Sequence, residues 1–423
     1  MNTGVHVKVS AVASRTFSAL RFRNYRLYFA SQAISFSGTW MQLLAQSWLV
    51  LELTGSGTAL GTVMAMQYLP TLLLAPVGGM IADRVDKRRL IMVTQSVAGL
   101  LALLLGVLTL SGAVELWMVY AIAAGFGAVT AVDNPSRQTF VMEMVGPADI
   151  SNAVTLNSVV VNAARAVGPA IGGVLIATVG IGVCFVVNAA SYLAVVIALI
   201  LIRTSELHPS ARTARAPRQL RDGFHYAWET KPIRTTLVML VLIGTLTYEF
   251  STTLPLFAEF TFEAGASGLA IMTSLMGAGA VIGGLVVAAS GVATPRRLVI
   301  IAAAFGSLVC ALSVMPSIVF VYMLLPFVGA ASVAMIALSN ATLQLNSDPH
   351  FRGRVMALFS MALLGSTPIG GPIVGAIAEH ASPRISLLIG GLAALTAAAY
   401  GWRNLRTDDT TDRIEYTEPA LVS

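Results

Sequence analysis

The stretch GTVMAMQYLPTLLLAPVGGMIADRVDKRRLIMVTQSVAGLLALLLGVLTL, Gly61 to Leu110, sets two apolar runs on either side of one charged turn. Each run supplies about 20 residues, the helical length that crosses a hydrocarbon core of about 30 Å. Asp83, Arg84, Asp86, Lys87, Arg88 and Arg89 crowd the turn, which therefore stays in water while the runs leave it. The rest of the 423-residue chain repeats the alternation: 56% of residues are hydrophobic, 11% are charged, and the mean hydropathy is +0.79. A water-soluble globule of that composition would expose apolar surface on every side. The sequence therefore specifies an all-α integral membrane protein.

Polar breaks divide the apolar material into twelve predicted transmembrane helices, at about residues 26–51, 58–82, 90–111, 116–142, 151–180, 182–203, 234–259, 267–290, 297–315, 318–345, 354–378 and 385–402. Short loops rich in Lys and Arg stay in the cytoplasm. Arg15, Arg21, Arg23 and Arg26 precede the first span, and Arg84, Lys87, Arg88 and Arg89 follow the second. Arg203, Arg212, Arg215, Arg218, Arg221, Lys231 and Arg234 fill or flank the connection after the sixth; Arg296, Arg297, Arg352, Arg354, Arg403, Arg406 and Arg413 continue the alternation. The opposite loops carry Glu52, Glu115, Glu259, Glu263 and Glu379, with Arg384 the one basic exception. Both termini are thus expected in the cytoplasm. The net charge of +6 follows from this loop bias and implies no nucleic-acid partner. The first 23 residues are basic and polar, so no cleavable signal peptide is expected and the first span serves as the insertion signal. Cys184 and Cys310 lie within predicted spans without metal spacing and read as small packing residues; no metal or cofactor is expected.

The polar stretch 204–233 divides the chain into halves of six spans, 1–203 and 234–402, with 403–423 as a cytoplasmic tail. Pro169, Ile171, Gly172 and Gly173 of the fifth span align, at an offset of 199, with Pro368, Gly370, Gly371 and Pro372 of the eleventh. Gly78 and Gly79 before one basic loop likewise match Gly283 and Gly284 before Arg296 and Arg297. Two pseudo-symmetric six-helix bundles around a central pathway are expected.

Charges inside the apolar runs mark the places where polar chemistry is retained despite its cost. Of the 26 Lys and Arg residues, Arg137 and Arg165 alone fall in such runs, and Asp133 stands one helical turn before Arg137. Counting about 1.5 Å per residue from the outer boundaries places Asp133 roughly 25 Å deep and Arg165 roughly 22 Å deep, so the three are expected to form one gating or structural charge network. Glu249 falls roughly 15 Å deep in the seventh span, near the bilayer middle and far from any cation of its own span. Burial disfavours the charged form of such a carboxyl, so Glu249 is the leading candidate for a proton carrier, with direct binding of a cationic substrate as the competing role and Asp133 as a second candidate for proton coupling. Gln42 and Gln46 in the first span, Asn157 and Asn162 in the fifth, Tyr248 in the seventh, and Asn340 and Gln344 in the tenth are candidates to line a substrate cavity, or to join helices by hydrogen bonds. The third, sixth, ninth and twelfth spans hold no charge before their ends and are expected at the periphery.

The segment GGMIADRVDKRRL, Gly78 to Leu90, resembles the signature loop of the major facilitator superfamily at Gly79, Asp83, Arg84, Lys87, Arg88 and Arg89, with Asp86 where that family usually has glycine. RAVGPAIGG, Arg165 to Gly173, resembles the GPxxGG motif of the superfamily's exporters, and DNPSRQTF, Asp133 to Phe140, resembles the bacterial branch of enterobactin exporters and multidrug-efflux relatives. The resemblance implies that the signature-loop residues and Gly168, Pro169, Gly172 and Gly173 control gating. Physically, Asp83 at a helix end can accept hydrogen bonds from a neighbouring helix N-terminus, while Pro169 and the glycines let the fifth helix bend and approach its neighbour. The arginine that many drug and proton antiporters place four residues before a glycine in the fourth span would fall at Ala121 and is absent; the second half lacks the Asp-Arg pair of the loop.

The resemblance implies a secondary active exporter in the bacterial cytoplasmic (inner) membrane, moving a drug-like molecule or siderophore against protons by alternating access and working as a monomer in the lipid bilayer. Proton-symport uptake of a nutrient and lipid movement are the alternatives. An ATP-driven pump is excluded by the missing GxxxxGK[ST] loop, and an enzyme by the lack of HExxH, GxSxG or paired carboxylates near a boundary.

Overall fold

The structure, a computed structural model, describes residues 18–208, 219–289 and 294–405. Among the described residues the elements are helical and no strand occurs. The first half holds α1 (Arg23–Thr54), α2 (Gly57–Arg84), α3 (Lys87–Leu110), a helical run Leu116–Val179, and α6 (Ile181–Ile200). That run is two helices, α4 (116–145) and α5 (147–179). Gly146 between them adopts φ 72°, which glycine tolerates for want of a Cβ, and Pro147 then opens the next helix where its missing N–H has no partner to lose. After α7 (Gln219–Glu229), the second half holds α8 (Lys231–Leu246), α9 (Phe250–Phe262), α10 (Gly265–Ala289), α11 (Pro295–Ser313), α12 (Ile318–Leu345), α13 (Arg352–Leu364), α14 (Thr367–His380) and α15 (Pro383–Leu405).

Helix starts follow from side chains that satisfy free backbone N–H groups. Ser56 accepts from the Ala59 N–H, Thr294 from Arg297, and Asp86 from Arg89. Asp86 has φ −57°, so this loop has no need of the glycine usual in the family: the carboxylate caps α3 instead.

Among the described residues, ten helical segments are long and apolar enough to cross a membrane, with Lys231–Phe262 and Arg352–His380 each counted as one and Leu116–Val179 as one. The chain is a multi-pass membrane protein. Two expected spans differ from continuous helices. The seventh breaks between α8 and α9 at Thr247 to Glu249, where the Thr247 hydroxyl donates to the Gly390 carbonyl of α15 at 2.7 Å. The eleventh breaks at Gly365 and Ser366, because Pro368 in the first turn of α14 lacks the N–H that would continue α13. The connection expected at 204–233 is not wholly irregular: it carries α7, whose Tyr226 stacks on Phe351 with ring centroids 4.4 Å apart. Its residues 209–218, and residues 406–423 of the expected tail, lie outside the described residues, as do Arg15, Arg212, Arg215, Arg218, Arg406 and Arg413.

Within the first half α2 packs on the Leu116–Val179 run, α3 on α6, and α1 on α6. In the second, α10 packs on α12, α11 on α15, and α8 on α15. The halves meet along two principal seams, α2 with α14 and α5 with α10. Glycines make both possible. A Cβ on Gly61 would strike the Gly371 backbone and one on Gly57 the Gly375 carbonyl, while Gly277 sits against the Arg165 carbonyl. Hydrogen bonds across the halves lie at the end away from the basic loops: Ser56 Oγ and the Thr58 N–H both donate to Glu379 Oε2, at 2.7 and 2.8 Å.

One buried ion pair ties α1, α3 and α4 together. Asp133 Oδ2 is 2.7 Å from Arg137 Nε, and its side chain is only 4% exposed. Thr94 Oγ1 donates to Asp133 Oδ1 at 2.6 Å, and Gln95 Nε2 donates to the same carboxylate at 3.1 Å. Arg137 in turn donates to Gln32 Oε1 at 2.9 Å and lies over the Phe36 ring. Stripping one member from such a pair strands the other charge, at a cost of roughly 3 to 5 kcal/mol. Asp133→Asn and Arg137→Met should therefore each lower the thermal midpoint by more than half of what the double variant loses. Strictly additive losses across the four proteins would show that the pair is not coupled.

Candidate functional site

Between the halves lies an open cavity, spanning about 770 Å³ of atom-free space when its open mouth is included. Helices α1, α5, α9, α10 and α12 contribute to its wall or its rim, with Tyr248 supplied by the break between α8 and α9. Leu43, Leu44, Leu254, Leu269, Met276 and Ile336 make much of the wall apolar. Trp40, Tyr248 and Phe250 add aromatic faces, and Ser47, Ser251, Thr273 and Ser332 add hydroxyls. Arg165 is the one charged side chain among the lining residues. Its guanidinium lies 4.7 Å from the centre of the Trp40 ring. The Tyr248 hydroxyl donates to the Ser332 carbonyl at 2.6 Å, which fixes that ring against the wall.

The expected pairing of Arg165 with Asp133 and Arg137 does not occur. Asp133 points from α4 toward Thr94 and Gln95 of α3, whereas Arg165 leaves α5 on the side facing the other half. No ion pair of Arg165 is present among the described residues, and Trp40 is its principal neighbour. The direction in which each side chain leaves its helix was not legible in the sequence.

Most of the polar residues singled out for the cavity lie outside its lining. Gln42 accepts from Asn188 Nδ2 at 2.7 Å and so joins α1 to α6, and Gln46 reaches toward Gln67 of α2. Asn162 donates back to Ser158 on its own helix, and Gln344 donates to Asn340 one turn earlier. Asn157 is half-buried on α5, away from the lining. Tyr248 is the member of that set found in the wall. Trp40, missed in the sequence, was recognisable as the aromatic whose depth matches Arg165. Thr94 and Gln95 were recognisable as a polar pair in an apolar span at the depth of Asp133.

Glu249 occupies the break between α8 and α9, flanked by the cavity residues Tyr248 and Phe250, yet its own carboxyl turns out of the lining. It is 2% exposed, and its Oε1 has no hydrogen-bond partner among the described residues. Thr367 is its hydroxyl neighbour, and the backbone of Gly370 and Gly371 on α14 approaches both its oxygens. The acid thus sits directly behind the seam where Gly371 meets Gly61. Tyr68 of α2 lies near both Glu249 and Arg165.

The residues read as gating fall into two sets. In α5, Gly168 faces the Ser37 carbonyl and Trp40 Cβ, Gly172 faces Met41, and Gly173 abuts Ala270 of α10, while Pro169 lines the cavity. In the signature loop, Lys87 Nζ is 2.6 Å from Glu143 Oε1, and Arg88 donates to the last carbonyls of α6, Leu199 and Ile200. Gly79 is buried in α2, Arg84 and Arg89 are exposed, and Asp83 has no ion pair or hydrogen bond among the described residues. Among the described residues, no cluster of side chains suits a metal ion.

Comparison with known proteins agrees with this architecture. The chain is 25% identical over 359 residues to the staphyloferrin A transporter of Staphylococcus aureus, covering 84% of this chain and 89% of that protein. It is 25% identical over 365 residues to the multidrug efflux pump Tap of Mycolicibacterium fortuitum, covering 82% and 88%. Its fold superposes on a bacterial homologue of the human lysosomal transporter Spinster, solved inward-facing and unoccupied, with a TM-score of 0.71 at 14% identity over 91% of this chain and 98% of that one. A family model described as transmembrane secretion effector matches residues 14–421. A helical protein with a cavity between two packed halves, matched along nearly its full length, is a transporter and not an enzyme, and this chain belongs to the transmembrane secretion effector family of the major facilitator superfamily.

Proposed function

We propose that the protein is a proton-coupled exporter that works by alternating access in the bacterial cytoplasmic membrane, with both termini inside. Twelve spans in two six-helix bundles fit this reading: the ten apolar segments become twelve when α4 and α5 are counted separately and α1 is added. The crosswise seams, second helix with eleventh span and fifth with eighth, are what a duplicated half would produce. With the basic loops inside, the Ser56 and Thr58 contacts to Glu379 close the outer face, and the unpartnered Asp83 belongs to a cytoplasmic face that is open.

The observation that carries the coupling is Glu249, a buried carboxyl at a helix break with one oxygen unpaired by the protein, wedged behind the outer seam. A charge there is costly in a water-poor site, and a proton removes the cost, so loading and unloading of the acid would bias how closely α14 can sit against α2. Asp133 is saturated by Arg137, Thr94 and Gln95, which favours a structural role for it over proton carriage. Siderophore and multidrug relatives support a mid-sized organic substrate.

In proteoliposomes with an imposed pH gradient, Glu249→Gln should lose uphill transport while retaining gradient-independent exchange of substrate. Wild-type accumulation by that variant would remove Glu249 from the coupling. The two gates are separable by cysteine pairs placed across each mouth. Glu379→Ala should reduce crosslinking of the outer pair, and Asp83→Asn that of the cytoplasmic pair, each by several-fold, because a contact made in one state moves the equilibrium by its own free energy. Unchanged crosslinking in both would leave these acids without a gating role.

A further inference from the structure

Resting on the transport reading above, we infer that the substrate is an organic anion: a carboxylate on an apolar, ring-bearing body, with the carboxylate held by Arg165 and the body laid against Trp40 and Phe250. Two arginines lie inside the apolar part of this chain, and the protein treats them oppositely. Arg137 receives a carboxylate from Asp133 and a carbonyl oxygen from Gln32. Arg165 receives neither: no acidic partner and no hydrogen-bond acceptor for its guanidinium is found among the described residues. Trp40 covers the face of the guanidinium at 4.7 Å, a contact that satisfies the π surface and leaves the in-plane N–H groups to other partners. Those N–H groups form a planar fork whose spacing matches the two oxygens of a carboxylate.

The surroundings argue the same way. The lining carries no acid, since Glu249 turns its carboxyl away toward Thr367 and the Gly370 backbone. A cationic compound entering the cavity would meet Arg165 as a like charge, with no lining carboxylate to offset it. A neutral compound would leave the fork unsatisfied. A carboxylate bonds to the fork, and its charge is matched by the one charged residue the wall offers. The position also suits transport. Arg165 lies at the α5–α10 seam, with its backbone carbonyl against Gly277, so a ligand held there touches both halves at once.

Equilibrium dialysis of purified protein, with no gradient imposed, tests this on three probes that share one ring system: naphthalene-2-carboxylate, 2-naphthamide and 2-naphthylmethylammonium. The carboxylate should bind roughly tenfold or more tightly than the amide, and the ammonium most weakly. Arg165→Gln should erase the advantage of the carboxylate over the amide, and Arg165→Lys should retain part of it. Equal affinities for carboxylate and amide in the wild type, or tighter binding of the ammonium, would overturn the inference without recourse to any variant. An advantage that survives in Arg165→Gln would overturn it as well. Because dialysis involves no proton gradient, failure of proton coupling at Glu249 leaves this result standing, and a wrong substrate charge leaves the coupling result standing.

Discussion

Hydrocarbon offers no hydrogen bonds, so every polar group carried into the bilayer must find its partner within the protein, and the architecture is organised by how that demand is met. The backbone meets it by remaining helical almost throughout. Where it does not, at the breaks near Glu249 and Ser366, the interruption is buried between packed helices, and Thr247 reaches across to the Gly390 carbonyl. Asp133 and Arg137 meet the demand together, with Thr94, Gln95 and Gln32 closing the remaining positions. Glu249 and Arg165 are ionisable side chains that leave capacity unfilled among the described residues, and both flank the region between the halves.

The sequence displayed what depends on one-dimensional pattern. Apolar runs of helical length, broken by basic loops, match the helices to within a few residues. Glu249 and the glycines of α5 stood out because charge and small residues are conspicuous in an apolar run. Relations between helices were less visible. Counting from the boundaries gives the depth of Asp133 and Arg165 but not the direction in which each leaves its helix, which is set by packing against α3 and α10. Gln42 and Gln46 show the same gap: an amide in a span announces a hydrogen bond, and only the neighbour, Asn188 for Gln42, decides whether it faces a cavity or a helix. The break at Ser366 was announced by Pro368, whereas the one before Phe250 has no comparable mark.

The signature loop illustrates how one charged cluster serves several purposes. Asp86 caps α3, Lys87 joins Glu143 at the end of α4, and Arg88 holds the last carbonyls of α6, so three of its charges secure the first half internally. Asp83 makes no ion pair or hydrogen bond among the described residues. A loop that braces one bundle rigidly is also what allows that bundle to move as a unit.

The seam between α2 and α14 bears on speed rather than on recognition. Gly57, Gly61, Gly371 and Gly375 bring backbone against backbone, with no long side chains interlocked across the contact. Separating such surfaces exposes little apolar area and requires no rotamers to be rearranged, so the closed arrangement is held by shape more than by a deep energy well. In the alternating-access exporter proposed above, such a seam would let the outer face part without throttling turnover.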